Sequence, residues 1–178
     1  MIKYHDEEWG VPLHDDKKLF EFMVLDTFQA GLSWAIILKK RKGFKKAFAN
    51  FNVNKIAKFD DKKISELLND KNIIRNKLKI LATISNAIAF KKIQKEFGGF
   101  NNYIWKFVNH KPIINKWKTS SDLPTKSKES DDMSADLRNR GFKFVGSTIC
   151  YAFMQAAGMV NDHLVSCFRY REIKLLTT

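Results

Sequence analysis

Tyr4, Trp9 and Trp34 are aromatics set among acidic and polar neighbours, and Asp26 is a lone carboxylate at the end of the apolar run of residues 22–25. Aromatic faces stack on an unstacked nucleobase, and a carboxylate accepts hydrogen bonds from an exocyclic amine or favours a cationic ring. The ordinary fate of a Trp is core packing. Asp26 resists so plain a reading, because a carboxylate on a greasy helix face needs a partner or a task. Its alternative reading is a polar residue in a C-terminal turn.

His163 and Cys167 are four apart in a stretch that reads as the last helix, beginning at Asn161, so both would project from one face. Imidazole and thiolate at that spacing make a half-site for zinc, with His5 as a third donor if the N-terminus packs there. A core histidine beside a buried cysteine fits the same spacing. Gly141-Phe142-Lys143-Phe144-Val145-Gly146 lies between two helical runs, with Arg138 and Arg140 nearby. A tight hairpin flanked by glycines can aim helix-terminal N–H groups at a DNA phosphate. A plain helix-to-helix turn would carry the same glycines. No Ser/His/Asp or Cys/His nucleophile order emerges, and no Gly-rich phosphate loop in a βαβ setting. His14 and His110 receive no role.

The elements that must position these groups are helical. Leu19, Phe20, Met23 and Val24 share one helix face, leading into Gln29-Ala30-Gly31-Leu32-Ser33-Trp34. Leu81, Ile84, Ala87 and Ile88 repeat at three and four within a long helix over about residues 77–96. Asp60 or Asp61 reads as the N-cap of a helix carrying Ile64, Leu67 and Leu68, and Gly98-Gly99 ends the long one. Phe100, Ile104 and Phe107 open the next. Residues 110–129, with Pro112 and Pro124, form the one clear loop, followed by helical runs over 131–140 and 147–157. There is no strand pattern, internal repeat or linker. The expectation is one all-α domain over residues 1–178.

Lys and Arg outnumber Asp and Glu by 32 to 19, a formal charge of +13 that points to a polyanion, most simply nucleic acid. A coding bias toward Lys, Asn, Ile and Phe would give the same excess without any binding role. Only Cys150 and Cys167 are present, so no disulfide framework is implied and a reducing cytoplasm is expected. The polar, acidic N-terminus is unlike a signal peptide, and no window approaches the ~18 apolar residues of a membrane span.

Read in order, the strings become specific. Tyr4-His5-Asp6-x-Glu8-Trp9-Gly10-Val11-Pro12, Gln29-Ala30-Gly31-Leu32-Ser33-Trp34 and Phe107-Val108-Asn109-His110-x-Pro112 resemble the type I 3-methyladenine-DNA glycosylases. So do Arg140-Gly141-Phe142-Lys143-Phe144-Val145-Gly146-x-Thr148-Ile149-Cys150-Tyr151, Phe153-Met154-Gln155-Ala156 and Val160-Asn161-Asp162-His163. The resemblance runs over nearly the whole chain.

It implies a single compact helical domain with a helix-hairpin-helix DNA-binding element, its hairpin running from Gly141 through Lys143 to Gly146. It implies flipping of the damaged base out of double-stranded alkylated DNA, with Gln29, Gly31 and Leu32 in the loop that fills the vacated stack. Tyr4, Trp9 and Trp34 are implied to line the base pocket, and Asp26 to stand where the family carries a base-reading Glu. Hydrolysis without strand cleavage is implied, by a monomer. So is a structural zinc, for which His5, His163 and Cys167 match three of four usual ligands.

The chain departs from the family pattern at two places. That pattern begins about a dozen residues earlier with a Cys, the fourth zinc ligand; two His and one Cys should hold zinc more weakly, with water in the open position. Asp26 retracts the carboxylate by about 1.5 Å relative to Glu. Ala152 stands where some relatives place a small hydroxyl residue. Three readings are therefore set for test: an active glycosylase, a non-catalytic DNA-binding relative, and a zinc-stabilised protein whose charge is compositional.

Overall fold

The computed structural model describes residues 1–176. Among the described residues ten α-helices follow one another: α1 (Ile2–Glu7), α2 (Asp16–Gln29), α3 (Trp34–Ala47), α4 (Val53–Ile56), α5 (Asp61–Asn69), α6 (Lys77–Phe97), α7 (Phe100–Ile104), α8 (Lys128–Asn139), α9 (Ser147–Ala156) and α10 (Phe168–Leu176). The all-α expectation holds.

Helix α2 is the axis of the fold. Every residue from Leu19 to Phe28 is buried, on all sides of the helix, and it touches α3, α6, α7 and α9. A helix without a wet face belongs in the middle. Asp15 caps it, accepting from the Lys18 N–H at 2.8 Å. Asp16 reaches across to cap α7, accepting from the backbone N–H groups of Phe100 and Asn101 at 2.8 and 2.7 Å. Phe20, Phe90 and Phe100 continue that join as a packed ring ladder, with centroids 5.1 and 4.0 Å apart.

Helix α6 starts at the N-cap Asn76 and stops at Gly98 in the left-handed conformation (φ +70°), the stop expected from the sequence. Asp60 rather than Asp61 caps α5, through the Lys63 N–H. Helix α8 begins at Lys128, earlier than the periodicity indicates, because Ser127 and Ser130 form a reciprocal capping box.

Two expectations are corrected. A short parallel ladder exists, β1 (Ile113–Ile114) against β2 (Val160–Asn161), too brief for alternation to show in sequence. The last helix starts at Phe168, not Asn161, because Val160 and Asn161 are buried in that ladder and residues 162–167 turn. The ladder ties the loop of residues 110–127 to the C-terminal region. The N-terminal segment joins the same region, through Gly10 N–H to Gln155 O and Leu13 N–H to Ala157 O, both 3.0 Å. Among the described residues, no helix is long and apolar enough to cross a membrane.

Candidate active site

Tyr4 of α1, Trp9 just beyond it, Asp26 and Gln29 of α2, Trp34 of α3, and Ala152, Gln155 and Ala156 of α9 enclose a cavity of about 170 Å³. Tyr4 and Trp34 meet at 5.3 Å between ring centroids, tilted by 53°. Trp9 is braced from behind by the His163 imidazole, 4.5 Å away edge-on. The four residues singled out for base contact are thus gathered, from three helices and one turn, on one wall system.

Asp26 is 2 % exposed, its Oδ2 has no hydrogen-bond partner, and no cation pairs with it among the described residues. Behind it lies a void of about 10 Å³ whose lining is mostly apolar, with Met23, Leu137, Val145 and Phe153 beside Thr27 and Cys150, and neither of those two bonds the carboxyl. Burial therefore pushes its carboxyl well above the ordinary carboxylate range. Although shorter than Glu, Asp26 still forms part of the cavity wall. Trp34 Nε1–H is also buried without a partner, so the walls carry one unused donor and one unused acceptor group. Burial first, and then Asp26 and Glu8, raise the Tyr4 hydroxyl against the opposing Arg41, which keeps it a phenol.

Arg41 fixes the wall that α1 contributes. Its guanidinium donates to Glu21 at 2.7 Å and to both oxygens of Glu8 at 2.8 Å. The fork thus joins α3 to α2 and to the end of α1. A larger groove of about 650 Å³ opens on the outer side of this cluster, between Lys3, Glu7, Lys18 and Lys45. Its charged residues stand over an apolar floor that includes Leu13, Phe22 and Leu38, and the unpaired Asp26 and Trp34 groups lie in the smaller cavity.

The loop from Gln29 to Ser33 sits at the cavity's edge. Gly31 (φ +79°) and Leu32 are exposed at its tip. Lys79, buried on α6, donates from Nζ to the carbonyls of Phe28 at 2.8 Å and Ala30 at 2.5 Å, which anchors the loop's base. Two turns along the same helix, Asn86 pairs with the hairpin: its Oδ1 accepts from Lys143 N–H at 2.8 Å and its Nδ2 donates to Lys143 O at 3.1 Å. The hairpin lies between α8 and α9 as expected. Phe142 and Val145 plug it into the core, Gly141 (φ +91°) turns it, and Lys143 and Phe144 are exposed. Gly146 precedes α9, which starts with the partly exposed Ser147 and the exposed Thr148.

Lys79 and Asn86 were not singled out from sequence. Their signal is polar residues on the buried face of an apolar helix, with Thr83 between them bonding the Lys79 carbonyl. Lys79 has its amine occupied by two carbonyls, and burial pushes the Cys150 thiol up to about 12. Neither is poised as a nucleophile.

His5, His163 and Cys167 do come together, although not by helical spacing: residues 162–167 are a turn closed by Cys167 N–H to Leu164 O at 2.8 Å. His5 Nε2 is 3.7 Å from Cys167 Sγ, and the His5 and His163 rings are 5.0 Å apart. Each imidazole gives its Nδ1–H to an acceptor, Asp6 at 2.7 Å and Asn161 at 3.0 Å. His163 Nε2 is buried without a partner, and burial, then His5 and Arg169, pushes its pKa down to about 4. Gly10 (φ +77°) permits this packing, since a Cβ there would stand 2.7 Å from the His163 ring. Among the described residues, no group of three or more His, Cys, Asp or Glu side chains is arranged to hold a metal ion.

Known proteins share this arrangement. Residues 1–170 match the family described as methyladenine glycosylase. The chain is 47 % identical over 169 residues to DNA-3-methyladenine glycosylase 1 of Escherichia coli (strain K12), covering 95 % of this chain and 90 % of that one. A crystal structure of 3-methyladenine DNA glycosylase I superposes with a TM-score of 0.92 at 45 % identity, over 94 % of this chain and 92 % of the other. A variant of a 3-methyladenine DNA glycosylase I solved in complex with 3-methyladenine gives 0.92 at 35 % identity, over 94 % and 90 %. A cavity at the centre of a helical fold, a wedge-shaped loop at its edge and a hairpin beside it therefore have a known setting: the chain belongs to the methyladenine glycosylase family.

Proposed function

We propose that this protein is a monofunctional DNA glycosylase that hydrolyses the N-glycosidic bond of 3-methyladenine in alkylated double-stranded DNA. The observation that carries this reading is the unpaired, fully buried Asp26 carboxyl in an aromatic-walled cavity beside an exposed Leu32. An unpaired buried acid costs folding free energy, so its presence is explained by a ligand that completes it. The relatives named above are glycosylases acting on 3-methyladenine, and one holds that base in its solved complex.

The chemistry follows from the substrate. 3-Methyladenine is cationic while attached to deoxyribose, so it leaves readily. As the C1′–N9 bond breaks, its electron pair passes to N9, the base becomes neutral, and positive charge moves to the sugar. Water adds to C1′ and loses a proton to solvent. A cationic ring beside Asp26 favours loss of the carboxyl proton to solvent as the base enters, and the carboxylate then faces the charge as it migrates. Tyr4, Trp9 and Trp34 hold the purine face and keep water from the base. Leu32, with Gln29 and Gly31, fills the vacated stack, while Gly141, Lys143 and Gly146 bind the phosphate backbone through the hairpin and the start of α9. With no amine among the described residues that line the cavity, no Schiff base forms and the strand is left uncut.

A structural zinc at His5, His163 and Cys167 is part of the proposal. The donor types suit zinc, and His5 Nε2 lies 3.7 Å from Cys167 Sγ with both Nδ1 atoms engaged by other partners. Bound there, it would tie the chain's two ends together. The protein acts as a monomer in the cytoplasm.

The test is incubation of the purified chain with methylated duplex DNA. Free 3-methyladenine should appear without strand cleavage. No release at stoichiometric enzyme, with DNA binding retained, would leave only a DNA-binding relative.

A further inference from the structure

The groove of about 650 Å³ outside the Arg41 cluster has no part in base excision. Its floor is apolar. Leu13 and Leu38 are partly exposed there, and Phe22 lies under the Arg41 guanidinium, 5.3 Å from the ring centroid. Its rim carries four exposed lysines, Lys3 from α1, Lys18 from α2, and Lys42 and Lys45 from α3. Their charges are not equally free. Lys3 has Glu7 at 3.8 Å and Lys18 has Glu21 at 3.2 Å, whereas Lys42 and Lys45 form no ion pair among the described residues. Leu38, Lys42 and Lys45 follow one another at four and three, so they make one stripe of α3. That wall sets uncompensated positive charge beside an apolar surface left open to solvent.

We propose that this groove docks an acidic, amphipathic peptide segment of a partner protein, its apolar side chains on Leu13, Phe22 and Leu38 and its carboxylates toward Lys42 and Lys45. The chemistry of the lining selects that occupant. A compact phosphate needs several donors aimed at one point. Here the guanidinium is already filled by Glu8 and Glu21, and the lysines stand on three separate helices. A duplex backbone has nothing to place on an apolar floor, and it would meet the exposed Glu7 at the rim. Carboxylates spaced beside apolar side chains along one peptide match wall and floor together. The groove's position leaves the DNA-facing edge clear. Lys18 and Lys45 each lie eleven residues from the loop ends of α2 and α3, Gln29 and Trp34, or about 16 Å along each helix. A partner held there does not cover the loop of residues 29–33.

The experiment selects binders of the full chain from a displayed library of random short peptides, then measures the tightest one, fluorescein-labelled, by anisotropy. Selected sequences should combine Asp or Glu with Leu, Ile or Phe. Reversing both free charges, Lys42→Glu with Lys45→Glu, should weaken the labelled peptide at least about tenfold. Leu38→Ala should weaken it about fivefold, through the apolar contact alone. Thermal melts of both variants should match wild type, since these side chains are solvent-facing. Saturating duplex DNA should leave the peptide's affinity unchanged. A library that yields no binder overturns the proposal, as do neutral or basic winners and a peptide indifferent to the α3 variants. Displacement of the peptide by duplex also overturns it, and assigns these lysines to the DNA surface instead. No arm reads base release, so failure here leaves the glycosylase reading standing, and failure of that reading leaves the groove's result intact.

Discussion

The aromatic-walled cavity and the edge formed by residues 29–33 and the hairpin, proposed to take the base and the duplex, are built on opposite terms. In the cavity, Asp26 Oδ2 and Trp34 Nε1 are buried and bonded to nothing. At the edge, the backbone groups that shape the loop and the hairpin are held by α6, through Lys79 and Asn86. Each unpaired buried group costs roughly 1–3 kcal/mol of stability. A protein keeps such groups where a ligand will complete them, and spends hydrogen bonds where a shape must be ready for a duplex backbone. One region is unfinished until a base enters. The other is finished beforehand.

The contrast is tested most severely at Asp26. Asp26→Asn should slow base release at least ~100-fold, the scale of losing a positioned charged group, while leaving the fold as stable or more so at neutral pH. Loss of stability together with activity would show that the acid is structural, and the contrast would fail. At the edge the opposite pattern is expected. Asn86→Ala and Lys79→Met should each lower melting temperature, at a cost on the order of 1–3 kcal/mol, and weaken duplex binding about tenfold. Affinity for free 3-methyladenine should stay near wild type. A parallel loss of free-base binding would merge the two regions into one.

Smaller effects sharpen the account. Duplex affinity should fall with salt, and Lys143→Ala should reduce the slope of log affinity against log salt by about one phosphate contact. The pH dependence of stability carries a definite sign. Burial raises the Asp26 pKa in the folded state, so the protonated fold is favoured. Its penalty is absent below the ordinary carboxylate value, 3.8, and grows as pH rises from there toward the folded value. The melting temperature of Asp26→Asn should therefore match wild type near pH 4 and exceed it increasingly toward neutrality.

Much of this arrangement was legible in the residues. The helical periodicity marked α2 and α6, Gly98 marked the end of α6, and the two glycines marked the hairpin. Asp26 stood out because charge inside an apolar run is rare, and the structure buries it as that rarity suggested. The last helix was placed too early. His163 and Cys167 look helical by spacing, but the β2 ladder buries Val160 and Asn161 and turns the chain before Phe168. Tertiary pairing overrode a local period there. Lys79 and Asn86 depend on partners 49 to 57 residues away, and the Gln155 amide on Asp162, a carboxylate filled from α9 and from the loop carrying Asn115 and Trp117, which no local pattern encodes.

Four indoles offer the most direct check of the central claim. Trp9 and Trp34 line the cavity, whereas Trp105 donates to Leu13 O and Trp117 to Asp162, both away from it. In ¹⁵N-resolved NMR of the indole N–H groups, titration with free 3-methyladenine should shift Trp34 most and Trp9 next, leaving Trp105 nearly still. Shifts confined to Trp105 and Trp117, or none at saturating base, would contradict a base-receiving cavity closed by Asp26.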